Sequence, residues 1–261
     1  MQFGENGTKT KLKAGKLAVG MTLRVAPTAE MALVARQAGF DWLFLDMEHG
    51  PLAVDTIGQV SIAAGALGLT PIARVTHQDL ATAARLLDAG VHGLIFPHVD
   101  TPEEARAAAQ AARFAPAGGR SFGGVPPSLG FATMPPAEVM RRCNELTFVV
   151  VMIETAKAVT NADAIAAVPG VDCLLIGTND FCLDIGKPGD FGAPEVVAAY
   201  EAVIGACKRH GKVPGMGGIY DTVHAKRYVQ MGARFILGGS DLALVSAAAK
   251  TRTEFFASLL S

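Results

Sequence analysis

Eight short apolar runs, each followed by a longer alanine-rich stretch with helical spacing, recur at fairly even intervals along this chain. That alternation constrains the fold more than any other feature, because repeated βα units force a parallel sheet with helices outside it. The strands expected are Leu17 to Arg24, Trp42 to Asp46, Thr70 to Val75, Gly93 to Pro97, Thr147 to Ile153, Cys173 to Ile176, Lys212 to Met216 and Arg234 to Leu237. Between them the spacing predicts helices over Pro27 to Ala38, Ala53 to Ala64, Gln78 to Ala89, Thr101 to Arg113, Ala156 to Val168, Pro194 to Arg209, Asp221 to Met231 and Asp241 to Leu260. Eight such units define a (β/α)8 TIM barrel, expected as a single domain over residues 1–261, with no linker to divide it. Thr101-Pro102-Glu103-Glu104 reads as a helix start, with a cap residue, a first-turn proline and acids where the helix dipole favours them. Gly39, Gly90, Gly211 and Gly232 read as helix stops.

One connection breaks the rhythm. Between Arg113 and Leu146 proline and glycine cluster, with room for a short helix around Pro136 to Cys143. Long connections in compact barrels are more often functional than idle, so a lid or a subunit contact is expected there.

With 23 basic against 24 acidic residues, a formal net charge of −1 and no basic tract, the chain has no electrostatic footprint for nucleic acid or an anionic membrane. A small-molecule partner is expected. No stretch approaches the length of an apolar span and the polar N-terminus has no apolar signal core, so neither secretion nor membrane insertion is expected. Cys143, Cys173, Cys182 and Cys207 show no CxxC spacing, which favours reduced thiols and a cytoplasmic protein.

The chemistry falls at the strand ends, where a parallel barrel gathers its catalytic groups on one face. The second strand runs into Asp46-Met47-Glu48-His49, the third reaches Arg74 and the fourth reaches His98. Glu154 closes the fifth run, and Asp180 follows the sixth through Gly177-Thr178-Asn179. On neighbouring parallel strands Glu154 and Asp180 converge at one rim, and paired carboxylates make an oxygen-rich site suited to a divalent metal. His49 is the candidate base, since imidazole titrates nearest neutrality. Asp46, Glu48 and His98 are given supporting roles, and His77, His92 and His210 structural ones.

These residues resemble a known family. Phe40 to Pro51, with Asp46-Met47-Glu48-His49-Gly50-Pro51, together with Pro71-Ile72-Ala73-Arg74, Leu86 to Gly90, Ile153-Glu154-Thr155 and Ile176-Gly177-Thr178-Asn179-Asp180, resemble the HpcH/HpaI aldolases. These are metal-dependent class II pyruvate aldolases of the 2,4-dihydroxyhept-2-ene-1,7-dioate aldolase type. The resemblance implies an enzyme that cleaves or forms a 4-hydroxy-2-oxo acid from pyruvate or hydroxypyruvate and an aldehyde, using Mg²⁺, Mn²⁺ or Co²⁺ held by Glu154 and Asp180. It implies that Arg74 lies beside the keto oxygen, that Asn179 and Asp180 hold the substrate carboxylate through main-chain amides, and that Asp88 orients His49. It also implies a homohexamer, a trimer of dimers with the C-terminal helix exchanged between partners. Asp88 ends a helix that runs back down the barrel, so it is expected to serve the His49 of a neighbouring subunit. Met152 departs from the pattern: glutamine often stands there in the family, and methionine cannot donate its amide hydrogen bond, so an altered substrate preference is expected.

Two other readings stand beside this one. Gly215 to Gly218 and Leu237 to Asp241 lie where such barrels commonly bind phosphate, which would make an isomerase or synthase, although Asp241 puts a negative charge there and only Arg234 offsets it. A barrel that merely binds a keto acid would share the fold, because fold alone does not fix function.

Overall fold

In the computed structural model, which describes residues 3–259, eight parallel strands close into a barrel in the order in which they occur along the chain. The strands are Ala18–Leu23 (β1), Trp42–Asp46 (β2), Thr70–Arg74 (β3), Gly93–Phe96 (β4), Phe148–Ile153 (β5), Cys173–Gly177 (β6), Val213–Gly217 (β7) and Phe235–Ser240 (β8). β2 to β6 are buried along their whole length, as strands covered on both faces must be, and this is why they read as continuous apolar runs. Residue 260, the end of the expected last helix, and residues 1, 2 and 261 of the expected domain lie outside the described residues.

Among the described residues the helices are Gly7–Lys13 (α1), Ala29–Gln37 (α2), Val54–Ala66 (α3), Leu80–Ala89 (α4), Pro102–Ala111 (α5), Pro136–Leu146 (α6), Ala156–Thr160 (α7), Ala162–Ala166 (α8), Thr178–Asp184 (α9), Pro194–His210 (α10), Thr222–Met231 (α11) and Asp241–Ser258 (α12). Thr101 caps α5 in a full capping box with Glu104. Gly90 and Gly211 end α4 and α10 in the left-handed conformation. None of these helices is long and apolar enough to cross a membrane.

One expected helix is corrected, and two further helices appear where the sequence reading named none. The helix expected over Ala156 to Val168 divides at Asn161, whose side chain turns to donate to the carbonyl of Asp100. The segment between β6 and Pro194, to which the sequence reading assigned no element, winds at once into α9. The polar N-terminus contains α1: Asn6 caps it by accepting from the Lys9 N–H, and Leu12 plugs the lower end of the barrel. Above Leu12, Trp42 stacks on Phe235 at 4.1 Å between ring centres, and Phe148, Ile72 and Ile95 belong to the same core cluster inside the barrel.

The connection at 112–135 leaves α5 at the lower end of the barrel and stays there. Arg120 pairs with Asp88 at 2.6 Å, Gly4 donates to the Ser128 carbonyl, and Leu129 packs with Phe114, Val139 and Cys143. It is not a lid over the site of its own chain. An outer helix runs antiparallel to the strands, so a connection from α5 to β5 starts and finishes at the face opposite the strand ends.

Candidate active site

Asp46 and Arg74, the last residues of β2 and β3, are register partners across the two strands. Arg74 Nε donates to Asp46 Oδ1 at 2.8 Å and Nη2 donates to Oδ2 at 2.7 Å, a fork that fixes the plane of the guanidinium. Nη1 stands 2.9 Å from Glu48 Oε2 as an ion pair outside hydrogen-bond geometry, and 3.9 Å from the Met152 sulfur. Burial would push the Asp46 carboxyl up, but the Arg74 guanidinium outweighs it and holds Asp46 below its usual value. Burial likewise opposes the charge on Arg74, and Asp46 and Glu48 more than restore it.

Glu154, immediately after β5, is almost wholly buried. Its Oε2 accepts from the His98 main-chain N–H at 2.7 Å and lies 3.2 Å from His98 Nδ1, while His98 Nε2 lies 3.3 Å from Glu48 Oε1. His98 is held at φ 52°, a left-handed conformation that costs a non-glycine residue energy. Its ring thereby bridges the two glutamates. Glu154 Oε1 is buried with no hydrogen-bond partner and rests against Gly177, where an added Cβ would come within 2.6 Å of it. Burial, and then the charges of Asp180 and Glu48, push Glu154 up to about 7 against the pull of the His98 N–H and Arg74.

Asp180 and Asn179 occupy the first turn of α9, directly above the end of β6, and both line a cavity of about 340 Å³ at the strand ends. Phe44, Met152, Leu175 and Leu237 form its apolar side, and Arg74, His49 and Asp180 its polar one. His49 sits on the rim, 61% exposed, with its main-chain N–H 3.4 Å from Asp46 Oδ1 and its Nε2 4.0 Å from Glu48 Oε2. Among the described residues no group of three or more His, Cys, Asp or Glu side chains is arranged to hold a metal ion by itself. The donor set nevertheless fits a divalent cation completed by substrate and water oxygens. An unpaired, buried carboxylate oxygen faces a gap that only glycine leaves open, and a second carboxylate stands near enough to oppose the first one's charge.

A sequence profile of the HpcH/HpaI aldolase/citrate lyase family matches residues 24–248. The chain belongs to that family. As an HpcH/HpaI member it is an enzyme of the aldolase class, a carbon–carbon lyase on a TIM barrel. It is 39% identical over 246 residues to the 4-hydroxy-4-methyl-2-oxoglutarate aldolase of Hapsidospora irregularis, covering 93% of this chain and 91% of that one. It is 35% identical to the pyruvate aldolase of Rhizobium etli over 98% of this chain and all of the relative. The crystal structure of an HpcH/HpaI aldolase from Desulfitobacterium hafniense superposes with a TM-score of 0.89 at 31% identity, over 95% of both chains.

Of the residues expected at the site of this HpcH/HpaI protein, the structure brings His49, Arg74, Asn179 and Asp180 to one cavity, with Glu154 buried beside Gly177. Asp88 is not among them. It ends α4 at the opposite face, half-exposed and paired with Arg120. The sequence reading understated Glu48 and His98, which tie Arg74 to Glu154. It missed Thr22, Arg24 and Tyr220, contributed to the cavity by the end of β1 and the loop after β7, and read Ser240, at the end of β8, only as part of a phosphate turn. Strand-end position was the signal that could have found Arg24; the hydroxyls carry none.

Proposed function

We propose that this chain cleaves and forms 4-hydroxy-2-oxo acids from pyruvate, or hydroxypyruvate, and an aldehyde at the cavity between β2, β3, β5 and β6, with Mg²⁺, Mn²⁺ or Co²⁺ held by Glu154 and Asp180. The observation that carries this reading is the orphaned Glu154 oxygen, buried against Gly177 on the Asp180 side of the site. A divalent cation there supplies Lewis acidity to the 2-oxo group and offsets the charge that gathers on it.

The chain's own residues do the rest. Arg74, clamped by Asp46, presents a fixed guanidinium to the keto oxygen, which the fork geometry orients better than lysine could. The main-chain amides of Asn179 and Asp180 receive the substrate carboxylate. In cleavage the imidazole of His49 takes the proton of the C4 hydroxyl, C4–O becomes a carbonyl, and the C3–C4 electron pair remains with the pyruvate half, delocalised toward the oxygen beside Arg74. Met152 puts a thioether where an amide could have bonded the keto acid, which favours an alkyl over a hydroxyl substituent near it.

Asp88 enters this reading from a neighbouring subunit, where it orients His49. What supports an oligomer, a hexamer by family resemblance with the last helix exchanged, is α12. Beyond Asp241 every described residue of that helix is exposed, and Leu244, Val245, Phe255 and Phe256 are among them. An apolar helix this bare in its own chain needs a cover. The reading places the enzyme in the cytoplasm.

The phosphate-site alternative has no support at Asp241: its carboxylate accepts from the main-chain amides of Arg24, Val25 and Ala26 at 2.9–3.1 Å and so fills that anion cradle itself. Exchange of pyruvate methyl protons in deuterated buffer tests the main reading without knowledge of the aldehyde. It should depend on added divalent metal and disappear in Glu154→Ala; exchange at the wild-type rate in that variant would remove Glu154 from the chemistry.

A further inference from the structure

Glu154 has two carboxylate oxygens, and the protein treats them oppositely. Oε1 is buried beside Gly177 with no hydrogen-bond partner. Oε2 is held by a single residue from two directions: the His98 main-chain N–H donates to it at 2.7 Å, and the His98 ring nitrogen Nδ1 stands 3.2 Å away. Both contacts depend on the left-handed φ of 52° at His98, a strained conformation for a residue with a side chain.

The rest of the ring is fixed as well. Nε2 lies 3.3 Å from Glu48 Oε1, and Glu48 pairs through its other oxygen with Arg74. The His77 ring meets the His98 ring at 87°, with 5.2 Å between their centres. His98 therefore cannot swing off Glu154 without giving up Glu48 and His77 too. A cation beside Gly177 is offered one oxygen of Glu154, because the other is already committed.

We propose that His98 is a positioning residue for the metal, one that limits Glu154 to a single ligating oxygen and thereby selects small octahedral cations against Ca²⁺. This rests on the metal reading above and adds to it the residue that sets the choice of ion. Ca²⁺ gathers about six to eight oxygens in a flexible shell and often takes both oxygens of one carboxylate, whereas Mg²⁺ demands a near-ideal octahedron and is content with single oxygens and water. A glutamate that lends one oxygen suits Mg²⁺ and leaves Ca²⁺ short. Partners that orient a metal ligand in this way typically shift metal affinity by about ten- to a hundredfold.

The test uses the full chain with pyruvate and bound Mn²⁺, and titrates Mg²⁺ and Ca²⁺ against it while the electron paramagnetic resonance signal of free Mn²⁺ reports displacement. Wild type is compared with His98→Gly, which takes up the left-handed φ without a ring, and with His98→Asn, which tolerates that φ and places an amide nitrogen near the position of Nδ1. In the wild type Mg²⁺ should displace Mn²⁺ at lower concentration than Ca²⁺ does. That preference should narrow about tenfold in His98→Gly and largely return in His98→Asn. Displacement by Ca²⁺ as readily as by Mg²⁺ in the wild type, or an unchanged preference in His98→Gly, overturns the assignment while leaving the aldolase reading in place. Failure of the wild type to bind Mn²⁺ at all overturns this assignment and the metal reading together.

Discussion

Gly177 shows how much of this site is decided by one missing side chain. Its backbone is conformationally ordinary, so an alanine there is barred only by the Glu154 carboxylate that a Cβ would strike. Gly177→Ala should therefore leave the barrel folded and push Glu154 out of place; calorimetric titration with Mn²⁺ should show affinity weakened at least tenfold, and wild-type affinity would mean that Glu154 is not a ligand. His92 offers a test of a different kind. Burial alone pushes it from 6.5 down to about 4, its Nδ1 has no partner, and its other nitrogen faces Gly65. The unfolded chain takes up a proton on this residue from about pH 6.5 and the folded chain only near 4, so His92 leaves stability intact above 6.5 and erodes it as pH falls through that window. By about pH 5 the loss is ~2 kcal/mol. Urea midpoints should drop less between pH 7.5 and 5 in His92→Gln than in the wild type, and parallel curves would count against the burial account. The structural reading of His92 came from the sequence; the glycine that makes room for Glu154 did not, because nothing in a residue's identity reveals what its absent Cβ would meet.

Among the elements, the strands were legible because a run buried on both faces must be apolar; β2 ends at Asp46 as expected, and β3 ends at Arg74, one residue short of the expected Val75. Their register places those two residues side by side, so the fork is a product of strand pairing as much as of charge. Asp46→Asn would keep the shape and remove the charge that balances a buried guanidinium, a change that typically costs several kcal/mol. We expect kcat to fall by about ten- to a hundredfold with a lowered Tm and unchanged far-ultraviolet circular dichroism; a wild-type kcat would show that Arg74 needs no clamp. The helices were read less well. α1, α9 and the break at Asn161 depend on caps and packing over a few residues, where periodicity has too short a run to register.

For the whole molecule, α12 and Asp88 pose the same question from opposite ends of the barrel. The leading expectation is an assembly in which α12 is covered by a partner and Asp88 meets a partner's His49. Phe256→Asp should then reduce the sedimentation coefficient and activity together, with the barrel's far-ultraviolet circular dichroism retained; an unchanged sedimentation coefficient would show that α12 makes no such contact. The sequence alone determined the eight βα units and the side of the sheet where the acids, the arginine and the histidine gather, because hydrophobic alternation and chain direction are local properties. Only the closed barrel decided that Glu154 keeps an unpaired oxygen beside Gly177, that Asp241 spends its charge on the amides of residues 24–26, and that His98 sets one ring between Glu48 and Glu154. Those facts depend on which residues face one another through space, which sequence order does not encode.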